Sequence, residues 1–208
     1  MKINVAKNLI LLKTIPENCD YEIAGNVTLT FILLADKPWD HKPDLRFTLK
    51  GDGARLDFLS LVVGKEVGHY DFRTEVVHSA KHTTSRQKVK AAMFGSSSTD
   101  FDGMTLIGKD ADFSDAYMTH KALLMSPGTK SNALPSLEIL ANEVKAGHSS
   151  STGKPDKEAL FYLMSRGIPE SRANALLVES FFAEMADSLP DCAEKETMLR
   201  WLKTTIRL

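Results

Sequence analysis

Imidazoles and carboxylates are the side chains here whose types and spacing could do chemistry; thiols are scarce. The 208 residues include six His and only two Cys. Cys19 and Cys192 lie far apart, with no CxxC and no Cys/His spacing that would build a tetrahedral zinc or all-cysteine iron–sulfur site. Cys19 falls in a polar, turn-like patch over 16–20, and Cys192 follows Pro190 and Asp191, so both read as incidental thiols. His78 and His82 flank a polar turn holding Lys81, Thr83 and Thr84, and His120 lies further on. Beside Asp71, Glu75 or Asp115 these rings could serve as acid–base apparatus. No Ser or Cys nucleophile context accompanies them, so no catalytic residue is assigned. Structural polar stacking is the preferred reading, with His78 and His82 kept as a secondary polar site. The run Gly95-Ser96-Ser97-Ser98-Thr99 invites a phosphate-loop reading, but it lacks the Gly-Lys-Ser/Thr ending and no helical pattern follows. Gly153-Lys154 lacks the following Ser or Thr. Nucleotide binding should therefore reside in a partner, and 95–99 reads as a flexible connection.

The elements that would position these residues divide near 150. Before it, apolar bursts at 26–34, 45–49, 54–63, 70–77, 88–93, 104–107 and 136–141 are separated by Gly, Asp, Asn, Ser and Pro. No run there keeps a 3.6 period over ten residues, so 1–150 reads as all β. Val89, Thr105, Lys121 and Leu137 follow one another at about sixteen residues. A fixed spacing of strand-bearing units suits stacked coils. A β-sandwich is the rival, although two-residue hairpin signals are confined to Asp52-Gly53 and Asp102-Gly103. The pattern alone leaves solenoid and sandwich open.

After 150 the period changes. Residues 149–154 read as a polar linker. Pro155 suits the first turn of a helix whose apolar stripe is Leu160, Phe161, Leu163 and Met164, with Gly167 as its left-handed cap. Pro169 opens a second helix with Ala173, Leu176, Leu177, Phe181 and Met185 at helical spacing, and Pro190 closes it. A third spans 193–205, presenting Met198, Trp201, Leu202 and Ile206. The expected domains are 1–150 and 151–208.

Composition agrees with a folded body. Hydrophobic residues are 43% and charged residues 25%, which excludes wholesale disorder, collagen and a membrane-embedded chain. A net charge of −1 argues against a globally basic surface for nucleic acid. The opening residues are neither a signal peptide nor a membrane span, and with the scarce cysteines this predicts a cytoplasmic protein.

Several blocks carry a family resemblance: 71–87 (DFRTEVVHSAKHTTSRQ), Phe101-Asp102-Gly103, Leu123-Leu124-Met125-Ser126, Pro135-Ser136-Leu137-Glu138-Ile139 leading to Val144-Lys145-Ala146-Gly147-His148, and 160–169 (LFYLMSRGIP). In order and spacing they resemble the SufB/SufD family of iron–sulfur cluster assembly proteins, over about residues 69 to 188. The resemblance implies a right-handed parallel β-helix followed by C-terminal helices. It also implies a scaffold rather than an enzyme, pairing through its β-helix with a SufB-like chain or with itself. A SufC-type ABC ATPase would dock on the helices. Phe161, Tyr162, Met164 and Arg166 are the implied docking residues, sharing that duty with packing between helices.

His148 matches the interface His that SufD-like proteins use in cluster formation, which makes it the candidate metal ligand; imidazole can replace thiolate on iron. No cofactor is expected on the chain alone, only a transient iron–sulfur cluster at a subunit interface. Ser149 follows His148 where SufB-type members carry Glu, and neither Cys falls on the resembling core, so the chain is closer to SufD. It starts almost at the β region, like a minimal version of the family. Two other readings stand beside this one. A degenerate homologue would keep only an interaction role. A β-helix carbohydrate-active enzyme would draw on Asp71, Glu75, Asp102, Asp112 and Asp115.

Overall fold

The computed structural model describes residues 2–15 and 17–206; Met1, Pro16 and the last two residues, 207–208, lie outside it. Among the described residues, twelve strands precede three helices. The strands are β1 Lys2–Val5, β2 Leu9–Lys13, β3 Cys19–Ile23, β4 Thr28–Ala35, β5 Asp44–Leu49, β6 Arg55–Gly64, β7 Phe72–His78, β8 Thr84–Met93, β9 Ser98–Ile107, β10 Asp115–Leu124, β11 Lys130–Ile139 and β12 Lys145–Gly153. The helices are α1 Lys157–Ser165, α2 Glu170–Asp187 and α3 Ala193–Thr205.

Odd-numbered strands form one six-stranded parallel sheet and even-numbered strands another. The chain therefore alternates between two sheets and climbs one coil per pair of strands, as a β-solenoid. Arg55, Thr84, Asp115 and Lys145 stack in register, so one coil takes about thirty residues. The spacing of about sixteen in the sequence is half a coil. All the strand pairs are parallel, and neither Asp-Gly pair makes a hairpin.

Asp52-Gly53 instead turns a corner. Asn26, Gly53, His82 and Phe113 occupy equivalent corners of successive coils with φ of 55°, 69°, 56° and 62°. Each of these amides donates to the carbonyl one coil above: Asn26 to Asp52, Gly53 to Lys81, His82 to Asp112 and Phe113 to Glu143. A left-handed backbone at each corner turns the strand direction while keeping that ladder. Gly51 serves a close approach, since a Cβ there would lie 2.2 Å from the Gly25 nitrogen.

Strand alternation sorts the side chains. Inward rows fill the coils with an aromatic spine: Tyr21 stacks on Phe47 at 5.7 Å, Phe31 on Phe58 at 5.8 Å, and Phe72 lies 5.1 Å from Phe101. The later outward positions of β4, β6 and β8 are apolar too, where α2 and α3 cover them. Ile32, Leu34, Leu59, Leu61, Val63 and Ala92 form a second core with Val178, Phe182, Met185, Met198 and Leu202. Each such side chain is worth about 1.5–3 kcal/mol when fully buried. The helices are thus an outer layer of one sheet rather than a separate bundle. Lys90 of β8, almost fully buried, reaches α2 by donating to the Phe181 carbonyl at 2.6 Å and to Glu184 Oε2 at 2.8 Å.

Four local expectations change. Residues 149–153 belong to β12, not to a linker: the Ser/Thr run pairs with β10 on the sheet edge, where polar side chains suffice. Residues 95–99 form a tight corner, with Gly95 at φ 67°, and the first residues of β9, rather than a flexible connection. Cys19 begins β3 instead of lying in a turn, and Pro16 of that patch is outside the described residues. The stripe assigned to α1 is at most half-buried, and in α2 Ala173 and Met185 are buried as read while the face between them runs through Ala175, Val178 and Phe182.

Candidate functional site

The last coil is the place where interior chemistry meets solvent. Inside the earlier coils polar side chains satisfy one another. Thr74 Oγ1 donates to Gln87 Oε1 at 2.8 Å, and Gln87 Nε2 to Thr105 Oγ1 at 3.0 Å. His78 is fully buried, with Nδ1 2.8 Å from Thr83 Oγ1 and Nε2 2.8 Å from Ser85 Oγ. Burial pushes its pKa down to about 4, so the ring is neutral and structural. His120 extends the aromatic spine, stacking on Phe101 at 5.9 Å. Its Nδ1 lies 3.2 Å from Ser150 Oγ, while Nε2 is buried with no partner among the described residues. Burial lowers its pKa to about 4 as well.

One coil further on, β12 places His148 over Met118 and Ser150 over His120. Both sit on the inward row. Among the described residues no further coil covers them, so His148 is exposed. β11 ends the other sheet in the same way, with Leu134 65% exposed and Ile139 and Leu140 also open. These two strands present unpaired backbone edges beside an imidazole, a hydroxyl and an apolar rim. Such edges are templates for another strand. The apolar rim was not foreseen, although the outward position of Leu134 follows from alternation once β11 is placed.

His82 does not join His78. It stands at a corner, exposed, with its ring stacked on Phe113 at 5.0 Å. Cys19 is partly buried, and burial pushes its thiol up to about 12, which keeps it from acting as a thiolate. The carboxylates are individually engaged. Glu75 faces Arg46 at 3.6 Å, Asp102 faces Lys42 and Arg73, and Asp115 takes Arg86 at 2.7 Å. Asp71 and Asp112 accept backbone amides of Asp100 and Asn142. Among the described residues no three His, Cys, Asp or Glu converge on a metal position.

The second feature is α1. Asp156 caps it through the Glu158 and Ala159 amides, and Gly167 ends it with φ 84°. No residue of α1 is buried. Phe161 is 74%, Tyr162 56% and Met164 42% exposed, and the Arg166 guanidinium lies 5.1 Å from the Tyr162 ring centre. Three large apolar side chains in one exposed turn are an interface signature. No helix among the described residues is long and apolar enough to cross a membrane.

The chain was also set beside known proteins. The family model for the SUF system FeS cluster assembly, SufBD core domain, matches residues 25–181. The iron–sulfur cluster assembly protein SufD of Bacillus subtilis is 31% identical over 159 residues, covering 76% of this chain and 36% of that protein. SufD of Escherichia coli gives 31% over 159 residues, 76% and 37%. An iron–sulfur cluster assembly SufBD family protein of Mycobacterium tuberculosis is 33% identical over 157 residues, 71% of this chain and 40% of the relative. The chain thus spans two fifths or less of the length of these relatives.

Proposed function

The chain belongs to the SufBD core family of iron–sulfur cluster assembly proteins, and from that premise we propose that it is a non-catalytic scaffold subunit working in the cytoplasm. It pairs through the open edges of β11 and β12, with a SufB-like chain or a second copy of itself. A SufC-type ABC ATPase docks on α1, where Phe161, Tyr162 and Met164 supply the apolar contact and Arg166 the charge. The iron–sulfur cluster is cargo, held transiently at the subunit interface with His148 as this chain's contribution.

The observation that carries the reading is the exposed inward row of the last coil. On the inward row, a histidine and a serine that a following coil would bury are open to solvent beside two strand edges unpaired among the described residues. An imidazole there can ligate iron while the partner supplies the remaining ligands. The five engaged carboxylates favour this over carbohydrate chemistry. His148→Ala should lower cluster yield in the assembled complex and leave ATPase docking unchanged. An unchanged yield removes His148 from the chemistry.

A further inference from the structure

The outer face of β8 and β10 carries more positive charge than the covering helices neutralise. Lys88 and Lys90 alternate outward on β8, and Lys121 on β10 is in register with Lys90. Glu184 of α2 is the carboxylate set against them, with Oε2 2.8 Å from Lys90 Nζ and Oε1 3.9 Å from Lys88 Nζ. Lys90, and then Lys121 and Lys88, hold that carboxyl below its usual range. Lys121 has no ion-pair partner of its own among the described residues, so two positive charges stay uncompensated.

These side chains wall a cavity of about 230 Å3 whose other polar lining is Thr119 and Ser149. Neither hydroxyl is used in an internal hydrogen bond among the described residues. Lys88 also lines an adjoining cleft of about 730 Å3 between the sheet and the turn from α2 to α3. Ile10, Leu59 and Leu189 give that cleft an apolar wall. Its arginines are already closed on acids, Arg55 on Asp57 at 2.8 Å and Arg86 on Asp115 at 2.7 Å. Thr30, about nine-tenths buried, also lines its wall.

We propose that the niche formed by Lys88, Lys90, Lys121, Thr119 and Ser149 binds the phosphoryl group of a small phosphomonoester whose organic body extends into the adjoining cleft. A phosphoryl group carries a charge of about −1.5 to −2 at neutral pH, which matches the two uncompensated lysines. Its three oxygens accept from ammonium and hydroxyl donors together. A carboxylate would leave one lysine unmatched. The site lies on the outer face of the sheet, away from α1, with Ser149 on the β12 strand whose edge is proposed above for pairing.

The full chain is titrated at low ionic strength with inorganic phosphate and with phenyl phosphate, followed by amide NMR shifts. Both should bind saturably and shift Thr119 and Ser149. Phenyl phosphate should bind about tenfold tighter, as its ring removes apolar area from water. Lys121→Gln should weaken both at least roughly fivefold, and Lys109→Gln, on an exposed turn after β9 of the other sheet, should change neither. No saturation below about 10 mM overturns the site. So does equal binding by the Lys121→Gln protein. Phenyl phosphate binding no tighter than inorganic phosphate overturns the ester and restricts the niche to a free ion.

Discussion

Acid should destabilise this protein through its interior histidines, beginning above the range where carboxylates titrate. His78 and His120 are buried and neutral, with pKa values pushed down to about 4 from the ordinary 6.5. The unfolded chain takes up a proton on each ring near 6.5, whereas the folded protein resists until about 4. Between those values the unfolded state binds more protons, so stability falls as pH drops through the window and levels off below it. With about 1.36 kcal/mol per pKa unit, each ring should cost about 2 kcal/mol between pH 7 and pH 5. The pair together would remove about 4 kcal/mol, a large part of a typical domain's 5–15 kcal/mol. Urea unfolding midpoints across this range give the slope. His120→Gln should remove about half of it, and His78→Gln, whose amide can still reach Thr83 and Ser85, the other half. A wild-type curve that is flat from pH 7 to 5, or a slope unchanged in both variants, would refute the reasoning.

Other outcomes follow from the same packing. Glu184→Ala leaves Lys90 buried with only the carbonyl and ring of Phe181, so thermal unfolding should drop by a few degrees, equivalent to about 2 kcal/mol. Lys90→Met with Glu184→Leu should recover most of that loss. Gly103→Val places carbon against Met118 and Phe101 inside the coil, where a Cβ already meets the Met118 sulfur at 2.4 Å; a cost of about 1–3 kcal/mol in urea unfolding is expected. Phe161→Ser with Tyr162→Ser should abolish ATPase binding by calorimetry with little change in melting temperature, because neither side chain is buried.

The sequence made the solenoid legible where inward and outward rows differ in polarity. β4 to β9 announce themselves through β-branched and aromatic bursts. β1, β2 and β3 stayed hidden because they are four or five residues long. β12 stayed hidden because Ser149 to Thr152 carry no apolar signal, and an edge strand with no covering coil needs none. The period of sixteen was real but counted half-coils, since two sheets share each turn. Helix boundaries read well from Pro155, Gly167, Pro169 and Pro190, all local backbone signals. The direction each helix faces depends on which sheet row it meets, so the α2 face kept Ala173 and Met185 but ran through Val178 and Phe182 between them, and the α1 stripe left Phe161 and Met164 in solvent with Leu160 and Leu163 half-buried. His148 was reached through resemblance alone. What the sequence by itself could not show is that Ser150 shares its face and that both lie over Met118 and His120.

The scaffold account is tested most directly by light scattering after size exclusion, on this chain alone and mixed with the SufC-type ATPase from the same source. The account predicts a complex holding two scaffold chains and two ATPases, dissociated by changes at Phe161 and Tyr162. A lone 23.0 kDa species that ignores the ATPase would contradict it and leave the solenoid with a different partner to find.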